Sequence, residues 1–211
     1  MMVDPLPTYY FVTDVETNGP DPLQHSMLSF ATVALRADGL ACGEFEAVLA
    51  PRADRYSDER TMTWWQTQPH AWAAATANQE DPTVIMRRFV EWTESFDGQR
   101  AFAARPVMFD GLWIDHYLRT FVGRFLLDVP YWEQCVFNAG PLDIGTYILG
   151  VFGKTTPQTA GDKFPAEWLG HHPHTHRAID DAHGYASLLS KLFEVARSLP
   201  ENPLDFTRVQ Q

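Results

Sequence analysis

Two carboxylates stand at the end of an apolar run in Tyr9-Tyr10-Phe11-Val12-Thr13-Asp14-Val15-Glu16-Thr17-Asn18-Gly19, where a buried strand ordinarily excludes charge. Alternation along a strand turns Asp14 and Glu16 to one face, where they can bind one divalent metal or two close together. A third acid, Asp110, follows a short apolar stretch, and His176 precedes the pair Asp180-Asp181. Carboxylate oxygens favour Mg²⁺ or Mn²⁺ over zinc, and an imidazole titrating near about 6.5 suits general-base work. Taken singly, each feature has an ordinary structural explanation. Asp-x-Glu is common, an aspartate after a strand caps a helix, and an acid pair at a helix start complements the helix dipole. His171, His172, His174, His176 and His183 invite a zinc reading. The sequence sets no cysteine or spaced carboxylate beside them to complete a tetrahedral set, so the expectation is an exposed loop in which His176 alone has a chemical task.

The segments that must position these groups read as α/β. Strand-like runs cover Tyr9 to Val15, Met27 to Leu35 and Glu44 to Leu49, with Asp38-Gly39 as a turn between the last two, which makes an antiparallel meander. Arg52 to Asp81 reads as a loop with a short helix in the alanine-rich run Ala71 to Ala77. Asp81-Pro82 starts a helix that carries Ile85, Phe89, Trp92 and Phe96 at helical spacing. Ala101 to Phe109 reads as a buried strand, and after Asp110-Gly111 the series Ile114, Leu118, Phe121 and Phe125 marks the apolar face of another helix. A further helix over Asp143 to Phe152, a long loop over Gly153 to Thr175 and a last helix from about Asp180 to Leu199 complete the α/β order, before a frayed tail from Pro200. A five-residue step turns a helix by roughly 140°, so His176 and Asp181 cannot share one helical face, and the histidine is expected in the loop leading in.

The chain has 211 residues, 45% of them hydrophobic, which suits one domain over 1–211 with its core at about 9–199. No run approaches the roughly 18 apolar residues of a membrane span, and Met1 to Thr8 lacks a basic region followed by an apolar one, so a cytoplasmic protein without a membrane partner is expected. Cys42 and Cys135 are too few for a disulfide scaffold. A net charge of -11 argues against a protein that holds long duplexes on a basic surface. It is compatible with an acidic site that grips a strand end through metal-phosphate contacts.

The order and context of the acids and the histidine resemble the DEDDh subgroup of the DnaQ-like 3′-to-5′ exonucleases, from roughly Tyr9 to Ala196. The first motif is Phe11-Val12-Thr13-Asp14-Val15-Glu16-Thr17-Asn18-Gly19, the second Val107-Met108-Phe109-Asp110, and the third His176-Arg177-Ala178-Ile179-Asp180-Asp181-Ala182. In the third, the histidine stands five positions before the aspartate, which favours Asp181 over Asp180 as ligand. The resemblance implies a ribonuclease H-like fold, with a central mixed sheet flanked by helices. It also implies a site where Asp14, Glu16, Asp110 and Asp181 hold two divalent cations, Mg²⁺ or Mn²⁺, with His176 as general base.

Thr63-Trp64-Trp65-Gln66-Thr67-Gln68 is similar to a segment of the exoribonuclease-like and exonuclease VIII-like branches. Trp64 and Trp65 are therefore expected either to stack on a terminal base or to fill the core, and Thr17, Asn18 and Arg177 join them as expected substrate contacts. The chain departs from the family at Ala104-Arg105-Pro106, where a substrate-contacting asparagine is common. Asp143 resembles a recurrent structural aspartate, and Asp115 is expected at the surface. The implied reaction removes nucleoside 5′-monophosphates from the 3′ end of single-stranded nucleic acid, RNA slightly ahead of DNA, in a chain for which a homodimer is allowed. The alternatives are an inert nucleic-acid-binding or scaffold module on the same fold, and a hydrolase of short oligonucleotides.

Overall fold

Aromatic and β-branched residues fit a pleated, half-buried surface, and in the computed structural model Thr8–Thr17 forms β1, the central strand of a five-stranded sheet. Residues 6–127, 134–155 and 164–199 are described. On one side β1 pairs antiparallel with β2 (Met27–Arg36), which pairs antiparallel with β3 (Ala41–Val48). On the other side it pairs parallel with β4 (Gln99–Ala104), and β4 pairs parallel with β7 (Ala139–Asp143). The order β3-β2-β1-β4-β7 is the expected mixed sheet, a meander followed by parallel strands. A separate parallel pair joins β5 (Phe125–Leu127) to β6 (Cys135–Phe137).

The two faces of β1 are covered by different helices. Phe11 and Val15 pack with Ile85 and Phe89 of α3 (Pro82–Glu94) and with Trp113, Ile114, Tyr117 and Leu118 of α4 (Val107–Val122). Val12 packs on the opposite face with Ile144 and Ile148 of α5 (Ile144–Phe152) and with Ala182, Tyr185, Leu189 and Leu192 of α6 (Ala178–Ser198). Each fully buried large aliphatic side chain contributes roughly 1.5 to 3 kcal/mol, so both helix layers are firmly seated. Residues 12, 14 and 16 share a face by strand parity, and α6 covers that face. The start of α6 therefore lies toward the acids of β1.

Several sequence expectations are corrected here. Arg52 to Asp81 contains two helices rather than one: α1 (Glu59–Trp65), capped by Asp58, which accepts the Thr61 N–H at 2.8 Å, and α2 (Pro69–Thr76), which begins on its proline. The expected strand Ala101 to Phe109 stops at Ala104, and Val107-Met108-Phe109 opens α4, where Met108 is 77% exposed. Pro106 cannot donate to a sheet ladder, and the Asp143 carboxylate accepts the first helical N–H, that of Val107, at 2.9 Å. α4 ends at Gly123, whose left-handed φ of 65° suits glycine, so Phe125 belongs to β5 and not to the helix.

α6 begins at Ala178, ahead of the expected Asp180. The described part of the loop expected over Gly153 to Thr175 packs on α5 and α6 through Phe164, Trp168 and Leu169, while 156–163 and the tail from Pro200 lie outside the described residues. Among the described residues no helix is long and apolar enough to cross a membrane.

Candidate active site

Asp14 and Glu16 face α6 from β1, opposite Ala31 and Ser29 of β2. The register slips between Glu16 and Thr17, so regular pairing ends just past the acids. Beyond the slip the chain turns tightly at Gly19, where a Cβ would fall 2.2 Å from the His25 ring, so only glycine fits. α6 brings in Asp181 from late in the sequence, and the carboxylate oxygens of Asp14, Glu16 and Asp181 lie within 4.8 Å of one another. Glu16 and Asp181 are buried and Asp14 is half-buried.

Asp110 reaches the same end of β1 from the first turn of α4, buried, with its Oδ1 accepting the Val15 N–H at 3.1 Å. It stands apart from the cluster of three, yet its charge acts on both Asp14 and Glu16. Asp143 anchors the helix that carries it: Oδ2 accepts the Val107 N–H and Oδ1 accepts the Thr146 N–H at 2.6 Å, which caps α5. Partial burial draws the Asp143 carboxyl upward, but these hydrogen bonds prevail and hold it below its ordinary range. Asp115 accepts the Leu126 N–H at 2.9 Å and pairs with Arg119, so it ties β5 to α4 and is not part of the site.

The three acids around β1 have been pushed toward their neutral forms. Burial comes first for Asp14, followed by the charges of Glu16, Asp110 and Asp181, and together they raise its carboxyl well above the usual range. Glu16 is raised by burial and then by Asp181 and Asp110. Burial pushes Asp110 up to about 7 against the opposing hydrogen bond from Val15. Like charges held together at low dielectric are costly, and divalent cations relieve that cost. The all-oxygen donor set is one that hard divalent cations favour.

His176 lies outside α6, in the loop before it, with a left-handed φ of 58°. The loop is pinned on both sides of it. Thr175 donates its N–H to Asp181 Oδ1 at 3.1 Å and its hydroxyl to Asp180 Oδ2 at 2.7 Å, and the Arg177 guanidinium makes a two-pronged contact with Glu46 of β3. Asp180 thus has a structural partner, while Asp181 belongs to the acid cluster. The isolated role expected for His176 needs correction. His174 Nδ1 lies 3.1 Å from Asp181 Oδ1, and the His174 and His176 rings meet edge to face at 4.5 Å.

The tryptophan pair divides its work. Trp64, 38% exposed, meets the His176 ring edge to face at 4.9 Å and lies beside the acids' histidine loop. Trp65 is buried with Leu28, Ala71 and Ala75, and its indole N–H donates to the Thr17 carbonyl at 2.9 Å. Its expected contact with substrate is replaced by a structural one, because its ring has no exposed face to offer. The side chains of Thr17 and Asn18 are likewise committed. Thr17 donates to the Gly19 carbonyl at 2.8 Å, while Asn18 accepts the Ser26 N–H at 2.6 Å and donates to Ser57 Oγ at 3.1 Å. These groups build the loop after β1 rather than a substrate surface, and Arg177 is engaged by Glu46.

No family model matches the chain, and no curated protein matches it. Its fold is shared with nucleases of solved structure. Escherichia coli exonuclease I in complex with a dT13 oligonucleotide superimposes with a TM-score of 0.61 at 14% identity, over 88% of this chain and 41% of that one. The nuclease domain of 3′hExo, a DEDDh family member bound to rAMP, gives 0.60 at 11% identity, over 92% and 96%. A 3′-exonuclease in 3′-end specific recognition of a histone mRNA stem-loop gives 0.60 at 10% identity, over 90% and 84%. The chain spans less than half of exonuclease I. The architecture is therefore the ribonuclease H-like fold, in the form found in DEDDh exonucleases.

Proposed function

We propose that the chain is a divalent-metal-dependent 3′-to-5′ exonuclease of DEDDh type that hydrolyses the terminal phosphodiester of single-stranded nucleic acid and releases nucleoside 5′-monophosphates. The observation that carries this reading is the convergence of Asp14, Glu16 and Asp181 within 4.8 Å, beside a histidine loop and under an exposed tryptophan. Asp14, Glu16 and Asp181 would hold one Mg²⁺ or Mn²⁺, and Asp14 with Asp110 a second. When bound, two such ions supply electrostatic stabilisation to both the attacking and the leaving oxygen of an in-line displacement.

The chain's own groups do the rest. His176 takes the proton of the attacking water, and the pinned loop keeps its ring at the metal-binding face. Trp64 offers a partly exposed ring to the terminal base, a contact worth about 1 to 3 kcal/mol. Arg177 reaches a phosphate only by exchanging Glu46 for it. RNA is placed slightly ahead of DNA on the Trp-Trp-Gln segment. The homodimer that the resemblance allows is not part of this reading.

The test is a panel of 5′-labelled RNA and DNA strands, single and double, incubated with Mg²⁺ or Mn²⁺. Laddering from the 3′ end that disappears in Asp14→Asn and Asp181→Asn is expected. Equal degradation by these variants would refute the assignment. Absence of cleavage together with absence of stoichiometric Mn²⁺ binding would favour an inert binding module instead.

A further inference from the structure

The histidines of the loop before α6 lack a carboxylate in sequence, but the fold supplies one. His174, His176 and Asp181 each offer a ligand atom, and these atoms lie within 4.8 Å of one another. His174 Nδ1 and Asp181 Oδ1 are already 3.1 Å apart, close to the roughly 3.3 Å that separates ligands around a tetrahedral zinc with bonds of about 2.0 to 2.1 Å. A cavity of about 20 Å³ borders His174 and Asp181, though not His176, and has room for one water beside that pair. Two imidazoles and one carboxylate suit zinc, whereas Mg²⁺ prefers oxygens alone.

We propose that His174, His176 and Asp181 form a zinc site that shares Asp181 with the Asp14–Glu16 cluster, and that zinc there switches the protein off. The site is held ready by the same bonds that pin the loop: Thr175 to Asp181 and Asp180, and Arg177 N–H to Thr175 Oγ1 at 3.3 Å. His174 is 37% exposed in its side chain, so the ion has an approach from solvent. Zinc at this position takes the lone pair of the His176 nitrogen and one carboxylate of the magnesium cluster at once. The inhibitory half of the inference rests on the exonuclease reading, and the binding half does not.

Zinc titration calorimetry on the full chain in excess Mg²⁺ tests the binding half, with Co²⁺ as a spectroscopic stand-in whose visible bands are intense only in four-coordinate sites. Wild type and Asp14→Asn are expected to bind one zinc with similar affinity and to show the cobalt bands. His174→Ala and the bulkier His174→Gln should each bind at least about 10-fold more weakly and lose the bands, while melting cooperatively without metal. Unchanged zinc affinity in both His174 variants would overturn the site, as would its loss in Asp14→Asn, which would place the ion in the acid cluster. The inhibitory half is read from nuclease activity in Mg²⁺ with zinc added, each variant normalised to its own zinc-free rate. His174→Gln should raise the inhibitory zinc concentration at least about 10-fold, and an unchanged value overturns the switch. A chain without nuclease activity would refute the exonuclease reading and with it the switch, while the calorimetry still decides the zinc site.

Discussion

Removing the charge of Asp110 should stabilise the metal-free protein, and more so at alkaline pH. Its carboxyl is buried and raised from an ordinary 3.8 to about 7. A carboxyl raised on folding favours the folded state fully below its unfolded value, and that contribution is lost as pH climbs through the folded value. The gap between 3.8 and about 7 corresponds to roughly 4 kcal/mol in all, of which about 2.5 kcal/mol is lost between about pH 5 and pH 8. Asn at this position keeps an oxygen to accept the Val15 N–H but has no charge to bury.

Thermal or urea unfolding in EDTA should therefore show Asp110→Asn gaining on wild type by about 2.5 kcal/mol between about pH 5 and pH 8. That gain corresponds to roughly 5 to 10 °C in Tm for a domain of this size. Asp14 and Glu16 pull in the same direction, and Asp110→Asn removes one of the charges that raise them, so the difference reports Asp110 together with its coupling to that pair. Added Mg²⁺ should narrow the difference by stabilising wild type alone. If the two proteins in EDTA lose stability in parallel from pH 5 to pH 8, burial of an uncompensated charge at Asp110 is the wrong account.

Asp143→Ala removes acceptors from the first turns of two helices and should cost about 2 to 3 kcal/mol in urea unfolding, whatever happens to activity. Trp65→Ala should cost roughly 3 to 5 kcal/mol, whereas Trp64→Ala should leave the melting curve nearly unchanged and raise KM for single strands about 10-fold, as read from initial rates. His176→Ala should lower kcat by about 100-fold or more and flatten the acidic limb of the pH-rate profile, with Mn²⁺ binding measured in parallel to confirm that the acid cluster persists.

How far the sequence revealed the site depended on the kind of signal. Asp14 and Glu16 were legible because strand parity is local, and the position of His176 outside α6 followed from helical rotation alone. Asp110 was identified, but Val107 to Phe109 before it were assigned to the strand, because Val-Met-Phe reads as strand by propensity. The competing helix start depends on Asp143, 36 residues away. Trp64 and Trp65 could not be told apart in sequence. Neighbours on a helix point roughly 100° apart, and only the packing of α1 on α2 decides which one turns inward. The capping aspartate Asp58 was a readable sign of α1. His174 carried no local sign, since its carboxylate partner reaches it through the fold of the loop.

The first acid sits near the end of the central strand and the last at the start of the final described helix, and the loop beside it is clasped to β3 by a contact spanning 131 residues. Contacts so distant in sequence form late, after the loop-closure entropy of everything between them has been met. On the proposed reading, a growing polypeptide that has not yet emitted Asp181 carries a sheet and half a metal cradle, with no means to cut.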